Sequence, residues 1–579
     1  MRLLPVKLAF LLISAFHPGA TVKASDSQGN RAPSRGINSL VIHSDQEIMP
    51  VSDEITWAEG ELVPSAAIVG ETHSPGVLPF FDGGGWIFPT AVASTPSHER
   101  TPSIAVDAVG NMWVVILVED DPAHIEVFRS TNKGLSWEYI FEVRNPYGGT
   151  LGSPAIFVDP GPTPNIVYLA FTSFWRDEKG YGHTGLEVAS FASDRPTETF
   201  QSVWVSRPQD FDISEASLSV ERGRGPNNQA FVAVRSFNCL TGAQYIWVFR
   251  GSRYSSWSKV LSVGGGRRYV GGPEAWSTDR ATYLIYKSNT VSSMPDDARR
   301  IHILTTLNGG QSWKAVYADT PYPAAEVSIA GAQGGEEAVA FASLRYGRSD
   351  HDVYAFYTTD LGMSWNGYWM ETDNQDSRLP RVSPDGVQFD AGVSAVFYFV
   401  EYYDRENDGI GNIKFLMCPV DEVTERANWH LPEGSSLDSL VISYEYLYGV
   451  EPGEGCLHLA SRSELNGTMP VVVWNTPYIS LKGDVYFAKP LAPVYVATQE
   501  EDGAACGIRV LFIPSERALR IEGDLPEGSQ LRLYSVDGRL AASLGISQTS
   551  KTTTLRLPDL PEGVYLWRLL QTGGRVTIY

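Results

Sequence analysis

The sequence predicts an all-β chain: a ring of six or seven four-stranded blades, a β-propeller, followed by a small Ig-like β-sandwich. Three observations carry this. Long helical periodicity is missing, while Gly (54) and Trp (15) are abundant across the 579 residues, as in proteins of many short strands joined by tight turns. A strand-rich unit recurs through the middle of the chain at nearly constant spacing. After about residue 500 that repeat stops and another alternation of apolar and polar residues begins.

Each unit opens on a short apolar strand. The starts are Pro102-Ser103-Ile104, Pro154-Ala155-Ile156, Ala216-Ser217-Leu218, Glu274-Ala275-Trp276, Val327-Ser328-Ile329 and Pro380-Arg381-Val382, with steps of 52, 62, 58, 53 and 53 residues. A seventh, more divergent start lies at Leu457-His458-Leu459-Ala460. A richer apolar strand follows, as in Trp113-Val114-Val115-Ile116-Leu117, and then an alternating one, as in Ile125-Glu126-Val127-Phe128. Four strands in roughly 50 residues make one blade, and a blade can bury both faces only by stacking on neighbours around an axis. Residues 96–490 are therefore assigned to the ring. Residues 25–95 read as a mostly irregular leader in which Trp86-Ile87-Phe88 is expected to close the ring.

Three segments fit Ser/Thr-x-Asp/Asn-x-Gly-x-x-Trp: Ser130 to Trp137, Thr306 to Trp313 and Thr358 to Trp365. The Asp or Asn side chain accepts hydrogen bonds from the backbone of its own turn, Gly supplies a positive φ, and Trp opens the outer strand with a large apolar face. Ser193 to Trp204 and Ser252 to Trp257 look like decayed copies. The pattern resembles the BNR/Asp-box repeats of sialidases and related propellers. The resemblance implies a structural role for these turns, on the face opposite the usual ligand site.

In such a blade the loops before the first strand and after the second open on one face. Those positions hold Glu99 and Arg100, Glu119, Asp120 and Asp121, Trp175 and Arg176, Glu215, Arg235, Tyr286 and Lys287, Glu326, Arg345 and Tyr346, Arg378, and Glu401, Tyr402, Tyr403 and Asp404. Aromatic faces stack on sugars and guanidinium forks hold carboxylates, so the mixture suits a glycan. Trp175, Arg176, Tyr346 and Tyr403 are the binding candidates.

The sialidase resemblance implies an arginine triad, a Tyr–Glu nucleophile pair and an Asp acid/base. Glu99-Arg100-Thr101-Pro102 is similar to the family's Arg-Ile-Pro motif, with Thr101 in place of Ile. Arg235, Arg345 and Arg378 are the other triad candidates, Asp120 or Asp121 stands in the region of the acid, and Tyr402 is the candidate tyrosine. No Tyr is locally marked as the partner of a Glu. The fold motifs are thus better kept than the catalytic set, which favours a non-catalytic propeller binding an extracellular glycan or surface protein. The alternative is an exo-sialidase or related glycoside hydrolase.

No cofactor is expected. Asp404, Glu406 and Asp408 resemble the first half of an EF-hand calcium loop, but Phe415 stands where the closing Glu belongs. Cys239, Cys418, Cys456 and Cys506 show no metal-binding spacing, and four cysteines allow three disulfide pairings.

The ends of the chain speak to export. Arg2 and Lys7 precede the apolar run Leu8 to Phe16, too short to span a bilayer, and Val22-Lys23-Ala24 offers a small residue for cleavage, so residues 1–24 read as a signal peptide. No later run is long enough for a transmembrane segment. The formal charge is -22, or -25 without the three cations of residues 1–24, and a field of that sign repels nucleic acid and anionic membranes. Residues 500–579 carry Leu531 to Arg539 around an Asp537-Gly538 turn, and Leu560-Pro561-Glu562-Gly563-Val564-Tyr565. They resemble the C-terminal sorting domain of the type IX secretion system of Bacteroidetes, although the early Asn-Pro is absent and the basic tail is reduced to Arg575. That resemblance implies the secretion machinery as a partner and a secreted or outer-surface location.

Overall fold

The computed structural model describes residues 42–44, 90–93, 98–145, 147–159, 165–176, 180, 182–221, 228–289, 298–346, 350–370, 376–385, 396–404, 412–429, 457–464, 467–476 and 484–489, together with seven strands between 509 and 578. The expected signal peptide lies outside the described residues.

Seven antiparallel sheets form the ring. Blade 1 comprises Glu99–Val106, Met112–Val118, His124–Ser130 and Glu138–Val143, from the axis outward. The innermost strands of blades 2 to 7 are Thr150–Asp159, Phe211–Val220, Val270–Ser277, Ala324–Gly331, Asp376–Pro384 and Leu457–Glu464. Each packs on the next, and Leu457–Glu464 returns to Glu99–Val106, which closes the circle. The outer strand of blade 7 comes from the leader: Thr90–Ala93 pairs antiparallel with Asp484–Ala488. The closing strand thus follows Trp86-Ile87-Phe88, which lies outside the described residues. A second leader strand, Ile42–Ser44, extends blade 4 through Lys314–Asp319. The leader is therefore partly a structural member of the ring.

The second strands explain why blades stack. In Met112–Val118, Met112, Val114 and Ile116 pack towards blade 7 with Val471, Val473 and Phe487, while Trp113 and Val115 pack towards blade 2 with Leu169, Phe171 and Phe191. Side chains alternate across a strand, so an unbroken apolar run buries both faces. Each such aliphatic side chain contributes about 1.5–3 kcal/mol on burial.

On the lower face, the three sequence-marked turns share one geometry. Asn132, Asn308 and Asp360 accept from the backbone N–H of Ser136, Ser312 and Ser364 at 2.9, 2.9 and 2.8 Å. Ser130, Thr306 and Thr358 accept from the N–H of Gly134, Gly310 and Gly362 at 2.8, 2.9 and 3.0 Å, with the glycines at φ 80, 87 and 77°. These turns also lock neighbouring blades: Trp137 meets Phe487 of blade 7 edge-on at 5.1 Å, and a Cβ on Gly134 would overlap that ring.

The C-terminal residues form two antiparallel sheets. One joins Arg509–Ile513, Ala518–Glu522 and Thr552–Arg556; the other runs Leu540–Gly545, Gln530–Ser535, Gly563–Leu569 and Thr572–Ile578. Cys239 is exposed, Cys418 is buried, and neither forms a disulfide. No helix among the described residues is long and apolar enough to cross a membrane.

Candidate functional site: the axial cavity

Six of the seven innermost strands carry the same irregularity. In blade 1 the register moves from Arg100 opposite Leu117 to Ser103 opposite Val115, three steps against two, so one residue is extra. The same bulge recurs at Gly152/Ala155, Ser214/Ser217, Gly271/Glu274, Ala324/Val327 and Arg378/Arg381. The bulged positions hold Pro102, Pro154, Pro273 and Pro380, where a missing N–H is tolerated because the ladder is already interrupted. Thr101, Glu215 and Leu379 take positive φ there (46, 55 and 51°), a sparsely populated region for side chains of this kind. The repeated unit starts in the sequence are these bulges or the residue after them.

Bulges re-aim side chains, and here they aim them at the axis. A cavity of about 370 Å³ runs along the innermost strands and is lined by all seven blades. Its polar lining includes Glu215, Glu274, Lys287, Glu326, Arg381 and His458, with Trp276 as an aromatic wall.

Two clusters organise this lining. Glu215 accepts from Arg235 Nη1 at 2.9 Å and from the Gly272 N–H at 2.6 Å. The Arg235 guanidinium lies 4.9 Å from the centre of the Tyr269 ring and donates to Gln244 at 3.1 Å. A Cβ on Gly271 would overlap the Tyr269 hydroxyl and stand 3.0 Å from Glu215 Oε2, so tyrosine and glutamate flank one point. The second cluster joins blades 4 to 7 and blade 1. Glu274 accepts from Ser328 Oγ at 2.9 Å and from the Ile329 N–H at 3.4 Å. Burial pushes its carboxyl up, against the pull of Arg381 and these bonds. Arg381 donates to the Leu457 carbonyl at 3.0 Å. His458 is pushed down to about 3 by burial and then by Arg381, so its imidazole is neutral and Nδ1 accepts from the Ile104 N–H at 3.3 Å. Glu326 Oε2 is enclosed without a hydrogen-bond partner among the described residues.

The residues marked in the sequence fall in different places. Arg235 joins the first cluster. Arg100 pairs instead with His98 at 3.1 Å and Glu119 at 3.4 Å, and Arg378 with Asp376 at 2.8 Å. Neither lines the axial cavity, nor does Arg345. Asp120 and Asp121 are exposed in the loop after the second strand of blade 1. Tyr402 was expected on the rim but is fully buried between blades 6 and 7 with Val400, Ile413 and Leu457, because alternation along its strand turns it into the sheet stack. Trp175 is only 8% exposed. Its ring packs against His183, Trp204 and the Arg207 guanidinium, which lies 5.0 Å from the Trp175 centroid and 4.3 Å from that of Trp204. Arg176 beside it is exposed. Tyr346, Tyr403 and Asp404 end their strands Ala338–Tyr346 and Val396–Asp404; Glu406 and Asp408 lie outside the described residues. Sequence reasoning placed Glu215 and Glu326 on the rim loops and missed Glu274, Arg381, His458 and Tyr269, whose roles depend on the bulge.

No family model matches the chain, and no curated protein matches it. Solved structures do. A Dyadobacter fermentans protein of unknown function aligns with 9% identity and a TM-score of 0.42, over 70% of this chain and 98% of its own. A Penicillium chrysogenum alpha-L-arabinanase complexed with arabinobiose aligns with 11% identity and a TM-score of 0.35, over 71% and 99%. Trypanosoma rangeli sialidase aligns with 11% identity and a TM-score of 0.34, over 89% and 88%.

Proposed function

We propose that this chain is an exported propeller that binds an extracellular glycan in its axial cavity. The observation that supports this is the lining: carboxylates and cations from separate blades converge on one space of about 370 Å³ beside the Trp276 ring. That volume lies within the ordinary range for small-ligand sites, and Trp276 supplies an apolar wall among the polar groups. Glu326, with one enclosed oxygen lacking a partner among the described residues, supplies an acceptor for a sugar hydroxyl. Residues 1–24 act as the signal peptide and residues 500–579 as an Ig-like sorting domain; deleting 500–579 should abolish extracellular delivery in the native host, and unchanged delivery would refute that role.

A glycoside hydrolase is the second reading, and one contrast favours it. Glu274 is held towards its protonated form, while Glu215 is ion-paired with Arg235, a division that suits acid and carboxylate roles. One set of experiments separates the two. Glycan-array binding by the full-length protein should fall at least tenfold in Glu326→Gln and stay unchanged in Asp120→Asn; equal binding by both variants and wild type would exclude the axial site. Turnover of a fluorogenic sialoside or arabinoside, lost in Glu274→Gln and kept in Arg100→Ala, would replace the binding reading with the hydrolase.

A further inference from the structure

A second group of ionisable side chains lies away from the axis, in the outer half of blade 1. His124 and Glu126 are two apart on the third strand, so they point to one face. Glu142 stands directly opposite Glu126 on the outer strand. Three donor atoms from these residues lie within 4.8 Å of one another. We propose that His124, Glu126 and Glu142 hold a divalent transition-metal cation.

Three observations converge on this. Two carboxylates directly opposed across a ladder repel each other, and such a pair needs positive charge nearby. Among the described residues Arg144 supplies it to Glu142, at 2.6 and 3.1 Å. The imidazole of His124 is buried, with 4% exposure, and its Nδ1 has no hydrogen-bond partner among the described residues. Its Nε2 is aimed between the two carboxylates, 3.6 Å from Glu126 Oε1 and 3.7 Å from Glu142 Oε2. Those distances exceed a hydrogen bond. They are close to the separation of two ligands on one ion, each bonded at about 2.0–2.2 Å. Nε2 thus lies in ion-pair range of both acids without a hydrogen bond to either, and a cation between the three donors would turn this loose cluster into bonded ligands.

The donor set indicates the ion. One imidazole nitrogen with two carboxylates suits zinc or manganese, whereas calcium prefers six to eight oxygens. Three protein ligands leave positions for water, and Glu142 keeps the Arg144 pair as an outer contact that orients its carboxylate. The site would tie the third strand of blade 1 to its outer strand, near the joint where the ring closes on blade 7.

The test uses the full-length chain, freed of metal by chelator dialysis, and titrated calorimetrically with Zn²⁺, Mn²⁺ and Ca²⁺ in turn. One equivalent of Zn²⁺ or Mn²⁺ should bind and raise the melting temperature. Affinity should fall at least tenfold in Glu126→Gln, a near-isosteric change at a partly exposed position that leaves folding intact, and likewise in His124→Gln. Asp404→Asn should bind as wild type does, which separates this site from the acidic loop of blade 6. Absence of saturable binding, a preference for Ca²⁺, binding unaltered in both blade 1 variants, or loss confined to Asp404→Asn would each overturn the proposal.

Discussion

The lower turns and the upper bulges are both repeated around the ring, and both hold a residue in left-handed backbone conformation, by opposite chemistry. At the turns a pair does so, Lys133-Gly134, Gly309-Gly310 and Leu361-Gly362, and every hydrogen bond that defines the turn comes from within eight residues. At the bulges the set includes Thr101, Glu215 and Leu379; Glu215 is held by the Gly272 N–H of the next blade, and Leu379 shares a buried cluster with Leu457 of blade 7. The turns are self-sufficient joints. The bulges carry strain that the ring must maintain, and they carry the side chains that line the cavity.

The largest effect should come from breaking a turn where it touches the next blade. Gly134 and Gly148 have similar positive φ, 80 and 71°, but a Cβ on Gly134 would overlap Phe487 whereas Gly148 faces open space. Gly134→Ala should cost about 3 kcal/mol or more, since clash adds to backbone strain, and Gly148→Ala about 1 kcal/mol. Urea denaturation midpoints measure both. Equal losses would show that the turn glycine serves conformation only and that its contact with blade 7 is dispensable.

Acid titration adds a second contrast, between a carboxylate inside a blade and one in a turn, because the two shift in opposite directions. Glu187, midway along the third strand of blade 2, Gly182–Ala192, is pushed up to about 7, chiefly by burial, while Ser173 and Arg207 pull the other way. Its native state therefore binds a proton more tightly than the unfolded chain does. Its contribution is full below the ordinary value of 4.5 and is lost as pH rises through about 7, a change of roughly 3 kcal/mol. Asp360, in the turn of blade 5, behaves in reverse. Burial alone would raise it, but bonds from Ser364, Thr358 and the Met363 N–H together hold it below 3.8, so its contribution is present at neutral pH and lost on acidification. Glu187→Gln should flatten the stability profile between pH 4.5 and 7, and Asp360→Asn should alter it only below about pH 4, by a smaller amount because that side chain is largely solvated. A flat wild-type profile between pH 4.5 and 7 would contradict the Glu187 assignment.

This division also explains what could be read from the chain. The turns were legible because donor, acceptor and glycine lie within one short window. The unit starts were legible as well, since Pro102, Pro154 and Pro380 recur in phase. Their meaning was not, because a bulge is a relation between two strands and its register cannot be seen in one. Hence the sequence marks Arg100 and Arg378, beside the bulge, whereas Arg381, just past it, lines the cavity. Tyr402 failed for a similar reason: one step of alternation separates rim from core. The tyrosine beside Glu215 comes from 54 residues downstream, in the next blade, and no local pattern marks Tyr269. His124 and Glu126 display their shared face in the sequence, but Glu142 reaches them only because the outer strand slips by one residue between Val127 and Phe128.

The smallest expected change is also the most informative about the cavity. Thr101 is β-branched at φ 46°, and its hydroxyl is buried without a hydrogen-bond partner among the described residues. Both features cost stability, and glycine removes both, so Thr101→Gly should stabilise the fold by about 1 kcal/mol, the strain relieved being partly offset by a more flexible unfolded chain. A residue retained in strain beside a cavity is one that shapes it. Thr101→Gly should therefore melt higher yet bind the axial ligand more weakly, by roughly tenfold, the trade between stability and function expected where a site is held in a costly conformation. Glycan-array affinity and thermal denaturation on the same preparation decide it. A variant that is stabilised and binds as wild type does would make the bulge a purely architectural corner, no different in kind from the turns on the opposite face.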